Sequence, residues 1–415
     1  GPFYAPSERL KAQMEKKEDW NLSGDVDESK LDACMRRFYG VCLGVAAALV
    51  DEGVASIEDT DRGAKIGLRW NKGPFEIINQ IGIAQTYDAV NAIVGKYADF
   101  NMPRVLEKQK QIGQPFAFKW VDLAVKDTIA YITLNRPEAM NALNETVVAQ
   151  LDDRFTEAEA HPSVKAIVFQ GAGKAFVAGA DIRYFLDNID NKDIPATVAF
   201  TRRGHELLLR IENSSKLTVA FLDGLSLGGG SELALACQAI VATPAGSLGF
   251  PETSIGIFPG LGGMLRAARH IGPALAKYYV YTGAPISAQD AHELGMISSI
   301  IAPAELETAV KALIDQAPLE KYTQRDIPEK YEMFARAFEG DNPATMLSGK
   351  SPAGVPDELG ARMVKIIGFK APLAIKIADE IIEQQAGLSL EDAVEVELGR
   401  LDEIFSTTDA REGLS

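Results

Sequence analysis

Two glutamates and a run of three glycines form the part of the sequence best suited to chemistry. Gly228, Gly229 and Gly230 stand just before Glu232, and Glu252 follows twenty residues later beside a second glycine-rich stretch. Glycine lets the backbone approach a ligand closely because it carries no Cβ. A glycine turn that opens a helix also leaves backbone N–H groups free to bind an oxyanion. The stretch therefore offers an oxyanion donor and two candidate acid–base groups.

Glu232 is the stronger of the two acid–base candidates. Its apolar surroundings, SELALACQAIVA over residues 231–242, predict a buried helix in which an unpaired charge would be costly. A carboxylate in the first turn of a helix is stabilised in its ionised form by the helix dipole. The alternative is an ordinary glycine turn with two solvated glutamates, because the spacing alone does not show that the two carboxylates meet.

Composition limits the classes of function. The chain has 415 residues, enough for two or three domains, of which 47% are hydrophobic and 24% are charged. Its formal net charge of −16 argues against nucleic-acid binding, which needs a basic surface. No apolar run free of charges and glycines reaches membrane-spanning length, and no signal peptide is visible. We therefore expect no membrane partner and a cytoplasmic location.

The cysteines and histidines do not have the spacing of a metal site or a disulfide framework. Cys34, Cys42 and Cys237 all lie in apolar helical contexts, which predicts small core residues in a reducing compartment. The four histidines are scattered along the chain without ligand spacing. We therefore expect no bound metal.

The first 115 residues predict an all-helical module. Residues 1–25 are charged and are expected to be partly loose. Apolar residues then recur at three- and four-residue steps from Glu28 to Glu52, which is typical of an amphipathic helix. Ser56 begins a second, shorter helix with a capping-box pattern.

Strands alternate with helices from about residue 116, which predicts an α/β arrangement. The stretch WVDLAVKDTIAYITLNRP indicates two short strands joined by a turn at Lys126–Asp127. Further strands are predicted in VKAIVFQGAG, KLTVAFLDG and QAIVATPAGSLGF. The chain becomes mostly helical again after Ser287, and its Pro/Gly-rich stretch at 340–360 is predicted to be a surface excursion. The last helices have broad apolar faces, which we expect to pack on the body of the protein or on another subunit.

Several blocks of residues 118–415 resemble the enoyl-CoA hydratase/isomerase (crotonase) superfamily. They occur in the family's order, as ITLNRPEAMNALN, VFQGAGKAFVAGADI, LSLGGGSELALACQAIVA, LGFPETSIGIFPGLGGMLRAARHIG and TGAPISAQDAHELGMI. The resemblance implies an α/β fold of ββα turns wound into a spiral, with the core at 116–305. It also implies that the C-terminal helices at 306–415 build a homotrimer or a dimer of trimers, a hexamer.

The resemblance also implies roles for four residues. The backbone N–H groups of Ala180 and Gly229 would hold the thioester oxygen while it gains enolate charge. Glu232 would act as base on a water molecule that attacks Cβ, and Glu252 would give a proton to Cα. The implied reaction is hydration of a 2-trans-enoyl-CoA thioester to 3-hydroxyacyl-CoA, a lyase step of fatty acid metabolism.

Further residues are predicted to bind the acyl-CoA substrate. The loop 178–183 would lie against the nucleotide end of CoA, and Arg183 would contact phosphate unless it is only a solvated surface cation. Phe258 would narrow the acyl pocket or, equally, pack in the core. The predicted substrate-binding residues are Ala178, Asp181, Ile182, Arg183, Gly228 and Phe258.

The helical module at 1–115 resembles the C-terminal domain of 3-hydroxyacyl-CoA dehydrogenases. EGVASIEDTDRGAKIGLRWNKGPFEIINQIG follows that family's pattern, but its nucleotide-binding domain is absent from this chain. We therefore expect part of a dehydrogenase–hydratase fusion that has no dehydrogenase activity, no NAD and no cofactor beyond the CoA of its substrate. The alternatives are an enoyl-CoA isomerase or other acyl-CoA enzyme of the superfamily, or a non-catalytic assembly fragment of a bifunctional fusion.

Overall fold

The computed structural model describes residues 8–16, 27–97, 100–322 and 326–415. The chain divides into two compact units, Gly1–Phe118 and Lys119–Ser415, which we call the helical unit and the α/β unit. The first helix, α1, spans Glu8–Lys16. The rest of the predicted loose segment at 1–25 lies outside the described residues.

Five more helices make up the described part of the helical unit. They are α2 (Glu28–Asp51), α3 (Ile57–Gly67), α4 (Pro74–Ile81), α5 (Ile83–Val94) and α6 (Arg104–Ile112). The periodicity from residue 28 correctly predicted α2, and Ser56 caps α3 by accepting a hydrogen bond from the Asp59 N–H at 3.0 Å. Leu43, Phe75 and Val90 are fully or almost fully buried, so this unit has a core of its own.

Helix α2 is long and apolar enough to cross a membrane by length and composition alone. Its qualifying 18-residue segment has a mean hydropathy of 1.4, and 28% of that segment is buried. A helix packed in a globular domain meets the same criteria, and α2 buries Gly40, Leu43 and Gly44 while it packs on α4, α5 and α6. Its other face is exposed and includes Cys34, so the prediction that all three cysteines are core residues is wrong for Cys34.

Ten strands of the α/β unit form two sheets. The strands are β1 (Val121–Lys126), β2 (Ile129–Leu134), β3 (Ala166–Gly171), β4 (Ala175–Ala178), β5 (Leu217–Leu222), β6 (Leu225–Leu227), β7 (Ala239–Ala242), β8 (Ser247–Leu248), β9 (Ile286–Ser287) and β10 (Ser299–Ile300). The larger sheet has the order β1-β2-β3-β5-β7-β10 and the smaller β4-β6-β8-β9. Only the β1–β2 hairpin and the β8–β9 pair are antiparallel among these described strands.

The helices of the α/β unit cover these sheets and continue to the end of the chain. They are α7 (Glu145–Ala160), α8 (Ile182–Asp190), α9 (Ile194–Glu212), α10 (Gly229–Ala236), α11 (Gly263–Ile271), α12 (Pro273–Thr282), α13 (Ala288–Glu293), α14 (Leu306–Gln316), α15 (Glu329–Arg336), α16 (Asn342–Leu347), α17 (Asp357–Ile367), α18 (Pro372–Gln385), α19 (Leu390–Leu398), α20 (Leu401–Phe405) and α21 (Thr408–Leu414). Helices α18, α19 and α20 pack on α9, α11 and α12 of the same chain. The predicted boundary at 305 falls inside this unit.

Two local predictions about the α/β unit are wrong. The helix predicted over 231–242 ends at Ala236, because residues 239–242 pair with β5 as the strand β7. The Pro/Gly-rich stretch at 340–360 is only partly a surface excursion. Pro343 and Met346 of α16 are buried, and Met346 belongs to the main hydrophobic core.

Candidate active site

Glu232 lies in the first turn of α10 and is almost completely buried. Its Oε1 accepts hydrogen bonds from the backbone N–H groups of Leu261, at 2.7 Å, and Gly263, at 2.9 Å. The side chain is only 2% exposed. Backbone donors favour the ionised form of a carboxylate, so the loop 261–263 both orients Glu232 and supports its charge.

Glu252 opens a short 3₁₀ turn, Glu252–Ile255, and its side chain lies against Gly228. Within the described chain its Oε2 has no hydrogen-bond partner, although the residue is only 8% exposed. A buried polar atom that is left unpaired is costly and needs an explanation. The geometry leaves this oxygen available to a group that enters the site.

Two backbone N–H groups next to the glutamates also lack acceptors. Leu143 accepts from the Asp181 N–H and donates to the Gly179 carbonyl, so the Ala180 N–H between them points away from this bridge. Gly229 is the first residue of α10, where N–H groups have no partner within the helix. Neither N–H finds an acceptor in the part of the chain that the structure describes. A Cβ built on Gly229 would lie 3.9 Å from the Ala180 nitrogen, so the two residues are neighbours.

Burial raises the pKa values of both glutamates above the ordinary value, but other contributions differ between them. Glu397, a third buried carboxylate, raises the pKa of Glu232 further, whereas the N–H groups of Gly263 and Leu261 lower it. The pKa of Glu252 is raised well above its ordinary value by burial and then by Glu232. Glu232 receives two N–H donors from other residues, whereas Glu252 receives none from other residues that the structure describes. We therefore expect Glu232 to ionise first and Glu252 to keep its proton.

These groups converge on one apolar cavity of about 330 Å³. Glu232 and Glu252 are its only ionisable lining side chains among the described residues. Eight of the ten predicted site residues line it. They are Ala178, Ala180, Ile182, Gly228, Gly229, Glu232, Glu252 and Phe258. A larger cavity of about 800 Å³, beside β7, β10 and α14, contains none of the predicted site residues.

The other two predicted residues, Asp181 and Arg183, do not line the cavity. Asp181 instead pairs with Arg136, with 3.1 Å between Oδ2 and Nη1. Arg183 is exposed on α8. The ion pair with Arg136 holds Asp181 next to Ala180, and the predicted contact of the loop 178–183 with the nucleotide end of CoA stays a prediction.

Asn141 is a residue of this region that the sequence reasoning did not single out. Its Nδ2 donates to the carbonyls of Ala172 and Ala175, both at 2.9 Å, and Phe176, at 3.1 Å, and its Oδ1 accepts from the Arg136 N–H. These bonds tie the 136–141 turn to β4, which leads directly into the Ala180 loop. The motif NRPEAMNALN contained the signal, since asparagine favours turns with positive φ and Asn141 has a φ of +59°.

Glu397 is the second residue that the sequence reasoning missed. It lies on α19, is fully buried, and its Oε1 accepts from the Gly262 N–H at 2.7 Å. The sequence did contain a sign of its burial. Glu397 lies on the apolar face of a helical pattern, three residues after Val394 and four before Leu401, next to Leu398. No group of three or more His, Cys, Asp or Glu side chains that could hold a metal occurs within the described ranges.

The sequence profile of the enoyl-CoA hydratase/isomerase family matches residues 129–415, more than half of the chain. The chain belongs to this family. The profile of the 3-hydroxyacyl-CoA dehydrogenase C-terminal domain matches residues 34–117. The enoyl-CoA hydratase/isomerase part thus contains both glutamates, both free N–H groups and the cavity, and a dehydrogenase-type domain precedes it.

Two relatives and one solved structure show how much of the chain is similar to known proteins. The crotonyl-CoA hydratase of Syntrophomonas wolfei is 35% identical over 198 residues, which cover 48% of this chain and 75% of that protein. A probable enoyl-CoA hydratase of Rhizobium meliloti is 30% identical over 289 residues, covering 69% of this chain and 90% of that protein. The crystal structure of a carnitinyl-CoA dehydratase from Mycobacterium thermoresistibile has a TM-score of 0.60 at 25% identity, over 71% of this chain and 88% of that one. The enoyl-CoA hydratase/isomerase fold predicted from the sequence is therefore confirmed.

Proposed function

We propose that the chain hydrates 2-trans-enoyl-CoA thioesters to 3-hydroxyacyl-CoA. One observation carries the proposal: two buried carboxylates line the same apolar cavity as two backbone N–H groups that find no acceptor among the described residues. Relatives that are named as hydratases support it. Hydration of a conjugated thioester needs a base, a proton donor and a binding site for a developing oxyanion, and the cavity offers candidates for all three.

In the proposed reaction a water molecule lies between Glu232 and Glu252. Glu232 takes one proton from the water while its oxygen forms a bond to Cβ of the substrate. The electron pair of the C=C bond shifts onto the thioester oxygen, where the N–H groups of Ala180 and Gly229 stabilise the enolate. The enolate collapses as Cα takes the proton of Glu252. Exchange of one proton between the two carboxyl groups then restores the starting state.

The electrostatic difference between the glutamates supports this division of roles. A base must be ionised at the start, and the N–H groups of Leu261 and Gly263 favour the ionised form of Glu232. A proton donor must keep its proton until Cα is ready, and burial without donors from other residues favours the protonated form of Glu252. Environments that separate the pKa values of two carboxyl groups commonly divide acid from base.

The lining of the cavity supports an apolar acyl group. Its walls are made mostly of Leu, Ile and Phe side chains, and among the described residues the lining contains no Lys or Arg that would neutralise a second carboxylate on the substrate. Burial of apolar surface stabilises a bound acyl chain by roughly 25 cal/mol per Å². We therefore propose uncharged enoyl groups, with crotonyl-CoA as the first substrate to assay.

Three further proposals concern cofactor, assembly and location. The described part of the helical unit contains helices and no strand, whereas a dinucleotide-binding fold is built on strands. We propose that the chain uses no NAD, which an assay of 3-hydroxybutyryl-CoA with NAD tests. We also propose a cytoplasmic homotrimer or dimer of trimers, as the family resemblance implies. Sedimentation velocity and cell fractionation test these two proposals.

The hydration proposal is tested with wild type, Glu232→Gln and Glu252→Gln. Crotonyl-CoA hydration is followed by the loss of absorbance of the conjugated thioester. Each substitution should lower kcat by about 10²–10⁴-fold, the usual contribution of a positioned acid or base to the rate, with little change in KM. Glu395→Gln, on the exposed face of α19, is the matched control and should keep wild-type activity.

Three results would contradict the proposal in different ways. Near-normal hydration by either site variant would remove the two-carboxylate mechanism. Wild-type conversion of a 3-enoyl-CoA without hydration of a 2-enoyl-CoA would instead assign isomerase activity. A folded wild type that acts on no acyl-CoA would favour the non-catalytic assembly role.

A further inference from the structure

Three consecutive backbone N–H groups donate to two buried carboxylates, two of them to one carboxylate and the middle one to the other. The N–H groups of Leu261 and Gly263 donate to Glu232 Oε1, at 2.7 and 2.9 Å. The N–H of Gly262, between them, donates to Glu397 Oε1 at 2.7 Å. The two carboxylates therefore bind the same loop through alternating N–H groups, and only one of them faces the cavity.

Glu397 is held through one of its two oxygens, since its Oε2 has no hydrogen-bond partner among the described residues. Its side chain is 0% exposed, and the His205 Nε2 of α9 lies 3.2 Å from its Oε1. The Arg266 side chain also contacts the loop, since its Nη1 donates to the Leu261 carbonyl at 3.1 Å. Gly262 has a φ of +84°, so its backbone conformation is one that only glycine adopts readily.

We propose that Glu397 is a positioning residue for Glu232: by accepting from the Gly262 N–H, it fixes the peptide planes whose neighbouring N–H groups orient the base. This inference rests on the proposed hydration. The Gly262 N–H lies between the two donors to Glu232, so a change of loop conformation at Gly262 would also move the N–H groups of Leu261 and Gly263. A Gly262 N–H without an acceptor would be buried and unpaired, so the loop would rearrange to satisfy it.

The charge of Glu397 adds a second, measurable effect. Glu397 raises the pKa of Glu232, in the same direction as burial, whereas Arg266 lowers it. Glu252 lines the same cavity as Glu232, and His205 of α9 lies beside Glu397. Removal of the negative charge at 397 removes a repulsion, so Glu232 should then release its proton at a lower pH.

Two substitutions separate these effects. Glu397→Leu removes both the acceptor and the charge and should lower kcat for crotonyl-CoA at least tenfold, with KM within threefold of wild type. Glu397→Gln keeps an acceptor for the Gly262 N–H and should keep kcat within threefold, while the acid limb of its pH profile moves to lower pH. Glu395→Gln, two residues away on the exposed face of α19, should change neither quantity.

A purely structural role for Glu397 would lower the melting temperature and leave kcat per folded molecule and the pH profile unchanged, which would overturn the inference. If Glu397→Leu does not fold, the pH profile of Glu397→Gln decides. An infrared titration of the Glu232 carboxyl band, assigned by its loss in Glu232→Gln, gives a readout without turnover. A band that titrates at the same pH in Glu397→Gln and wild type also overturns it. Failure of wild-type hydration, by contrast, overturns the proposed reaction and leaves this titration to judge Glu397.

Discussion

Glu252 Oε1 lies against Gly228, in the space that a Cβ at position 228 would need. A Cβ built on Gly228 would lie 2.2 Å from that oxygen, much closer than real Cβ contacts come. Gly228 also has a φ of +47° and a ψ of −121°, which side-chain-bearing residues rarely adopt. The glycine at this position therefore makes room for the proposed proton donor.

The first prediction concerns Gly228→Ala. The new methyl group should displace the Glu252 carboxylate and lower kcat for crotonyl-CoA by at least about tenfold, because a misplaced catalytic group loses much of its effect. Gly340→Ala is the matched control, since Gly340 has a φ of +53° and a Cβ built on it would have no neighbouring atom within 4 Å. Both variants carry backbone strain, but only Gly228→Ala should lose turnover. Equal activities in the two variants would show that Glu252 does not need this position.

The second prediction concerns the pH dependence of kcat/KM. Activity should fall at low pH as the ionised carboxylate of the Glu232–Glu252 pair is protonated, and at high pH as the remaining proton is lost. Burial raises the pKa values of both groups, so both limbs should lie above about 4.3, the ordinary value for glutamate. Rates measured across the range from mildly acidic to mildly alkaline pH, with recovery at neutral pH after each incubation, test this. An acid limb at or below the ordinary value would contradict the burial of the base.

The third prediction concerns stability. The folded protein holds the Glu252 proton more tightly than the unfolded chain does, because burial raises the pKa of Glu252. The pKa of a glutamate in the unfolded chain is about 4.3. By linkage, the contribution of Glu252 to the free energy of unfolding falls as the pH rises from that value toward the raised pKa in the folded protein. Glu252→Gln removes that loss, so its melting temperature should exceed that of wild type by a margin that grows from about pH 5 to about pH 8, reaching roughly 2 °C or more.

Glu395→Gln is the control for the stability prediction. The pKa of Glu395 is lowered by the hydrogen bond from Arg202, so its contribution to stability is already complete above the ordinary pKa of glutamate. The difference from wild type should therefore stay flat over the same pH range. A Glu252→Gln difference that is also flat would indicate that Glu252 is ionised throughout this range.

Local patterns predicted the elements that place the two glutamates, but not the contacts between distant segments. Alternation predicted β1 and β2, and the glycine run correctly marked the start of α10. The apolar run through residue 242 was predicted both as the end of the helix and, from residue 238, as a strand, and pairing with β5 shows that the strand is correct. Nothing local distinguishes a buried helix from a buried strand in such a run.

The supporting side chains were missed for a related reason. Arg136 and Asp181 are 45 residues apart, and Gly262 and Glu397 are 135 residues apart. Each pair forms only when remote helices and strands pack together, so spacing along the chain says nothing about it. The family resemblance added Ala180 and assigned roles to Gly229 and the two glutamates, and did not supply the residues that hold them.

The last prediction separates the two roles left open for Phe258. Its side chain is 3% exposed and lines the cavity, so it would contact an acyl group that the proposed reaction places there. Phe258→Ala should raise the ratio of kcat/KM for an eight-carbon enoyl-CoA to that for crotonyl-CoA by about tenfold or more, since a pocket distinguishes each methylene by about 1–3 kcal/mol. The variant should also melt at a lower temperature, because Phe→Ala in a core costs about 3–5 kcal/mol. Phe369→Ala, at a phenylalanine that is 77% exposed, should change neither quantity. A lower melting temperature with an unchanged chain-length ratio would assign Phe258 to core packing alone.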